Sequence, residues 1–299
     1  MTLTPARPRV ATGLSDLDGL LDGGLRPGRL TVIAARTAMG KSMLALTVAR
    51  HCALRAGRPA LVASLEMANA GLFERTLAAE SGVPTRKISS RQLSPEEFEL
   101  LRETARELDT AALLSFGGDR STPAVADIER ECARMVERHG RLDLVVVDYL
   151  GLMEGTLQQR ALRDRQGEVA AVVAALDDLA DRLQAAVVVV EQLDRDPEFR
   201  DDHRPRLSDL WHGDALLRRA QAVILLYRQA YYDPQYGTAV YYEQSPDPTL
   251  YPAELFPRHG LPEPAVQRAE LHVPHNRHGR TGVVSVGVEL ARARFFDLR

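Results

Sequence analysis

The residues "RLTVIAARTAMGKSMLALTVA" (29–49) constrain this chain more than any other stretch. A run of apolar β-formers ends in a loop of small residues, and an apolar-periodic helix follows. The loop closes on Gly40-Lys41-Ser42, the end of a phosphate-binding loop. Its usual pattern is G-x-x-x-x-G-K-[ST], and here Ala35 holds the first glycine's place. Strand, loop and helix in this order aim backbone N–H groups and a helix N-terminus at an anion. A chain built round such a unit is expected to fold as a parallel sheet covered by helices, since each element must bury an apolar face against the other.

Composition sharpens this reading. Of 38 basic residues only Lys41 and Lys87 are lysines, which we read as the codon bias of a GC-rich genome. Against that bias, a lysine directly follows the loop glycine. A compact ammonium fits between two phosphates where a planar guanidinium does not. The net charge of −3 excludes a basic surface over the whole molecule, so any nucleic-acid contact needs a local patch. The sequence has no apolar run of about 18 residues to span a bilayer. "MTLTPARPRV" lacks the apolar core of a signal peptide, so a cytoplasmic protein is expected. Cys52 and Cys132 lie in helical patterns and read as buried thiols.

Further apolar runs at 59–67, 112–116, 143–150, 185–193 and 222–228 read as strands. Between them lie helices at 41–56, 94–108 and 165–184, and one that starts after Thr122-Pro123 with the stripe Val125, Ile128, Cys132, Met135 and Val136. The expected class is α/β, a mostly parallel central sheet flanked by helices. Residues 1–10 read as a tail and 11–299 as one domain. A tyrosine- and proline-rich excursion at about 229–267 interrupts it; its tyrosines either form a partner surface or, as we expect, cover their own small core. Strands at 268–274 and 282–290 then form a hairpin across "HNRHGRTG".

The chemistry gathers at strand tips. Residues Ala35, Arg36, Thr37, Ala38, Met39, Gly40, Lys41 and Ser42 are the expected nucleotide-binding loop. Lys41 would reach the β- and γ-phosphates and Ser42 would bind Mg²⁺. Asp148 ends "LVVVD", where a carboxylate suits magnesium held through water. Hydrolysis needs a carboxylate beside the attacking water. Glu66 and Glu191 both qualify, and Gln192 can sense the γ-phosphate. His272, His275 and His278 read as loop residues because no cysteine or acid completes a ligand set, and Asp16 and Asp18 as a capping turn.

Together "TGLSDLDGLLDGGLRPGRLTVIAARTAMGKS", "SLEM", "LDLVVVDYLGLM", "DRQGEV", "HRPRLSDL" and "LLYRQAYYD" occur in the order found in DnaB-type replicative helicases. The chain closely resembles their RecA-like motor domain over about 10–235 and again over 268–299. In that family alanine is common at the first loop position, so Ala35 is no defect. The resemblance implies a RecA-like P-loop fold with a C-terminal β-hairpin region, and a homo-oligomeric, hexameric ring with ATP and Mg²⁺ as cofactors. It also implies Glu66 as catalytic base, Asp148 for magnesium and Gln192 as sensor. Arg277 would be a finger donated across a subunit boundary.

The departures matter too. The family's N-terminal helical domain and linker helix precede the motor, and this chain begins at the motor, so ring assembly is expected to lack one support. His275 stands where the family has lysine. The loop after "SDL", which contacts DNA in the family, reads "WHGDALLRRA". There Trp211 either stacks on a base or packs in the core. Arg218 and Arg219 either meet phosphates or form a solvated face. The expected function is ATP-driven movement on single-stranded DNA as a helicase. The alternative is a DnaB-derived ATPase or scaffold for a protein partner that does not unwind DNA. Membrane association is not expected. A relative of RecA-like recombination or clock-type ATPases fits the ordered motifs less well.

Overall fold

The computed structural model describes residues 7–117, 124–153, 165–232 and 266–298. Among the described residues nine strands make one sheet: β1 (Leu30–Ala35), β2 (Ala60–Ser64), β3 (Leu113–Gly117), β4 (Leu144–Asp148), β5 (Ala186–Gln192), β6 (Ala220–Tyr227), β7 (Gln267–Asn276), β8 (Gly282–Glu289) and β9 (Arg294–Asp297). Their order is β3-β2-β4-β5-β1-β6-β7-β8-β9. The pairings among β1 to β6 are parallel and those from β6 through β9 antiparallel. Strands β1, β2, β4 and β6 are buried along their whole length, as continuous apolar runs require when helices cover both faces.

One face packs on α2 (Lys41–Arg50), where Leu44, Val48 and Ala49 meet Ile33, Val146, Val188 and Ile224. The other packs on α6 (Val125–His139) and α7 (Arg165–Leu183). There Ile128, Cys132 and Met135 join Val172, Val173 and Leu176 against Val145, Val187 and Val223. The predicted stripe on α6 is thus core, with Val125 and Val136 at its margin. Helices α3 (Asn69–Ser81), α4 (Thr85–Ser90) and α5 (Pro95–Thr110) add a smaller cluster of Leu77, Val83, Leu101 and Leu108. Ser94 and Glu97 close a capping box at the start of α5. Short α1 (Ser15–Leu20) precedes β1, and Asp18 on it accepts from the Thr12 N–H at 2.8 Å. Helix α8 (Gly213–Arg219) leads into β6, and α9 (Gln229–Tyr232) follows it.

Several boundaries differ from the sequence reading. The α2 helix passes at His51 into a π-helical turn to Arg55, which carries Cys52. Burial pushes the Cys52 and Cys132 thiols up to about 12, so both stay protonated. Strand β7 runs to Asn276 because β6 supplies an antiparallel partner beyond the expected end. His272 and His275 therefore sit in a strand, and only His278 in the hairpin loop. The Thr122-Pro123 cap and most of the 229–267 excursion lie outside the described residues. Of its tyrosines, Tyr231 and Tyr232 pack against the core on the α2 side.

Candidate nucleotide site

The chain crosses β1 and then turns to opposite sides, with β5 as one neighbour and β6 as the other. Such a switch point opens a crevice at the C-terminal edge of the strands. The loop residues 35–42 lie there. Ala35 is the last residue of β1, in extended backbone beside Gln192 of β5. Extended backbone accepts a Cβ, which explains how alanine serves in the first glycine's place. Gly40 is different: its φ of +99° lies in the left-handed region. A Cβ there would also press on Met43 Cε at 3.3 Å.

Loop residues divide between anchoring and display. Met39 is buried in the core. The buried Arg36 donates through Nη1 to the Leu193 carbonyl at 2.7 Å and through Nε to Glu198 at 2.9 Å, tying the loop to the chain after β5. Thr37 is half-buried, and Ala38 adopts a φ of +59°. The Lys41 ammonium lies 3.9 Å from Glu66 Oε2 and 5.3 Å from the centroid of the Tyr149 ring.

The acids meet the lysine on one face. Side chains alternate along a strand, so Asp148 shares with Leu144 and Val146 the face that packs on α2. Asp148 is 2% exposed. Burial pushes its pKa up to about 6, against the pull of the Ser42 hydroxyl, which hydrogen-bonds to it, and of Lys41; Glu66 pushes it further up. Glu66 lies in the bend after β2. Leu65 N–H donates to the Asp148 carbonyl at 2.6 Å and Met67 N–H to Ser64 Oγ at 3.0 Å, which fix that bend. Asp148 Oδ1 and Glu66 Oε2 are both buried and make no hydrogen bond among the described residues. Two orphaned carboxylate oxygens beside a serine hydroxyl and a lysine fit a hard divalent cation and an anion together.

The same alternation separates Gln192 from Glu191. Gln192 falls on the α2 face, whereas Glu191 shares the opposite face with Val187 and Val189. The structure therefore brings Lys41, Ser42, Glu66, Asp148 and Gln192 to one face of the sheet and turns Glu191 to the opposite face of β5. Arg277 is not in this crevice. It starts the β7–β8 turn beside the first residues of β6, where its N–H donates to the Gln221 carbonyl at 2.8 Å. Its Nη2 donates to the Arg218 carbonyl at 2.7 Å. That is the opposite edge of the sheet from the loop, about 20 Å away at roughly 3.3 Å per residue along β1.

The family model for the DnaB-like helicase C-terminal domain matches residues 9–297. The chain belongs to this family. It is 32% identical to the replicative DNA helicase DnaB of Leifsonia xyli subsp. xyli over 289 residues, 97% of this chain and 56% of that protein. It is also 32% identical to the replicative DNA helicase DnaB of Geobacillus stearothermophilus over 224 residues, 75% of this chain and 48% of the relative. The chain thus spans about half the length of the curated relatives it matches. Among solved structures, a DnaB-like replicative helicase described with its interactions with primase superposes with a TM-score of 0.79 at 24% identity, covering 98% of this chain and 63% of that one. The ATPase domain of G40P gives the same TM-score and identity, covering 100% and 94%. The fold is the RecA-like one of these DnaB-family domains, with antiparallel strands at its C-terminal end.

The loop after "SDL" took a form that its sequence left open. Trp211 is 57% exposed, so it is not a core residue. Arg218 is exposed as well. Arg219 instead reaches Asp177 at 3.1 Å and Asp178 at 3.9 Å on α7. His275 Nε2 lies 3.2 Å from the Ala220 carbonyl, and His272 is held by Glu270 at 2.7 Å, so the histidines diverge. Sequence reasoning missed Arg228, a buried cation just past β6 whose Nη1 donates to the Met39 carbonyl at 3.3 Å. Burial pushes its pKa down to about 10. The signal was an arginine directly after the apolar run "VILLY".

Proposed function

We propose that residues 11–299 form the ATP-hydrolysing motor of a cytoplasmic DnaB-type helicase that works as a homo-oligomeric ring, a hexamer in this reading, on single-stranded DNA. The observation that carries it is the division of the site between two edges of the sheet. Lys41, Ser42, Glu66, Asp148 and Gln192 share one edge, and Arg277 sits at the other. An arginine so far from its own loop can complete only another subunit's site.

In this reading the loop N–H groups and Lys41 bind the triphosphate, and Lys41 neutralises charge that develops on the γ-phosphoryl group. Ser42 and Asp148 would hold Mg²⁺, which when bound neutralises phosphate charge. Glu66, with a free carboxylate oxygen 3.9 Å from Lys41, orients the attacking water and accepts its proton. Gln192 is placed to register the presence of the γ-phosphate. The orientation of Glu191 favours Glu66 over it as base.

One observation favours the second reading, an ATPase that serves a protein partner and leaves DNA alone. Arg219 is already paired with two aspartates, which leaves Trp211 and Arg218 as the loop's exposed DNA-binding candidates. ATPase rate per subunit, measured against protein concentration with and without single-stranded DNA, tests both. A rate that climbs with concentration and again with DNA supports the DNA motor. A climb indifferent to DNA moves the conclusion to the partner ATPase. A rate independent of concentration overturns the shared site.

A further inference from the structure

Glu191 has no part in hydrolysis as proposed, although it is one of the most deeply buried carboxylates among the described residues. Its Oε1 accepts from the N–H of Gln192 at 2.8 Å, which ties this carboxylate to the backbone of Gln192. Its Oε2 lies 3.9 Å from Nδ1 of His212. Both atoms are buried, and neither makes a hydrogen bond among the described residues. Two orphaned polar atoms facing each other are a strained arrangement, because each forfeits its hydration. Closing the gap to the hydrogen-bonding range of roughly 2.7–3.2 Å satisfies both at once.

The position of His212 gives this contact consequences. It caps α8 with a φ of +60°, between exposed Trp211 and Gly213. The seven residues of α8 run back across the sheet face opposite α2, with Leu216 in its core. At the far end, the Leu217 and Arg218 carbonyls accept from the Arg277 guanidinium at 3.5 and 2.7 Å. One short helix thus touches the chain beside Gln192 with its first turn and holds Arg277 with its last.

We propose that Glu191 and His212 form a positioning link, a hydrogen bond made or released as Gln192 responds to nucleotide, which sets the Trp211 loop and, through α8, the placing of Arg277. This rests on the ATPase reading of the crevice and goes beyond it. His212 touches no reacting atom. It acts on the loop, and the loop carries the surface offered outward.

Trp211 is the chain's one tryptophan and adjoins His212, with ring centroids 6.1 Å apart, so its emission reports the link directly. Because His212 occupies the left-handed region, His212→Gly removes the side chain without backbone strain, and His212→Asn keeps a polar group there. The whole 299-residue chain is titrated with magnesium and a non-hydrolysable ATP analogue, with binding followed by calorimetry and the loop by tryptophan emission. The wild type is expected to bind and to shift its emission. His212→Gly should bind with unchanged affinity and lose the shift, and His212→Asn should retain it. Glu191→Leu, which removes the other partner, should lose it as well. A full shift in His212→Gly overturns the link, as does a wild type that binds nucleotide with no change in emission. Absence of binding by calorimetry would instead refute the ATPase reading beneath it, so the two failures are distinguishable.

Discussion

Asp148→Asn should stabilise the nucleotide-free protein while abolishing its turnover. Asp148 is 2% exposed, and burial raises its pKa from the usual 3.8 to about 6. The folded state therefore binds this proton more tightly than the unfolded chain does. The stability contributed by the protonated carboxyl is present in full below 3.8 and is lost as pH rises through about 6. The difference corresponds to on the order of 3 kcal/mol at pH 8, at 1.36 kcal/mol per pH unit. Asparagine never ionises, and its carbonyl oxygen can still accept from Ser42, so it avoids that cost. For a chain of this size the gain should raise Tm by on the order of 5 °C at pH 8. The assay is thermal melting of both proteins, free of magnesium and nucleotide, from pH 4 to pH 8. The advantage should shrink as pH falls through about 6 toward 3.8, most of it being lost by pH 4. An Asp148→Asn protein that melts at or below the wild type at pH 8, or whose advantage does not change with pH, would refute the reasoning.

Glu66→Gln should cut turnover by roughly 10²–10⁴-fold, the usual worth of a general base, while leaving ATP binding intact in a filter or calorimetric assay. Normal turnover in that variant would return Glu191 to consideration. Arg277→Ala should lower the rate by about 10³–10⁵-fold. Mixing it with Lys41→Ala should restore activity, because one variant supplies intact loops and the other intact arginines; a mixture as inactive as its parts would rule out sharing across subunits. Arg228→Met should leave Tm unchanged or raise it, since burial depresses the arginine's pKa and an apolar chain of similar length avoids that cost. The same change should raise the KM for ATP by freeing the Met39 carbonyl, and an unaltered KM would show that Arg228 does not steady the loop.

Much of the molecule was legible in one dimension because its signals are local. Continuous apolar runs mark strands buried on both faces, and all six parallel strands fall within a few residues of their runs. Ser94, Pro95 and Glu97 announce the start of α5 by satisfying N–H groups within one turn. The glycine before Lys41 is demanded by its own φ. Ordered motifs disclosed the family. The long β7, by contrast, depends on a partner strand that is distant in sequence, and its pairing with β6 moved two histidines out of a loop.

The sequence by itself determined the α/β class, the strand–loop–helix unit around Gly40-Lys41-Ser42 and the acids at the strand tips, because these follow from nearest neighbours and from a period of two. Only the tertiary structure separated Glu66 from Glu191 in space. Both end apolar strands, but β2's bend keeps one beside Lys41, whereas pleating turns the other to the opposite face. Likewise only the fold exposed Trp211, bound Arg219 to α7 and put Arg277 at the edge far from its own loop. Each outcome depends on which strands lie side by side and which face a helix covers. Those are relations between residues far apart in the chain, set by burial of the whole sheet and not by any short stretch of it.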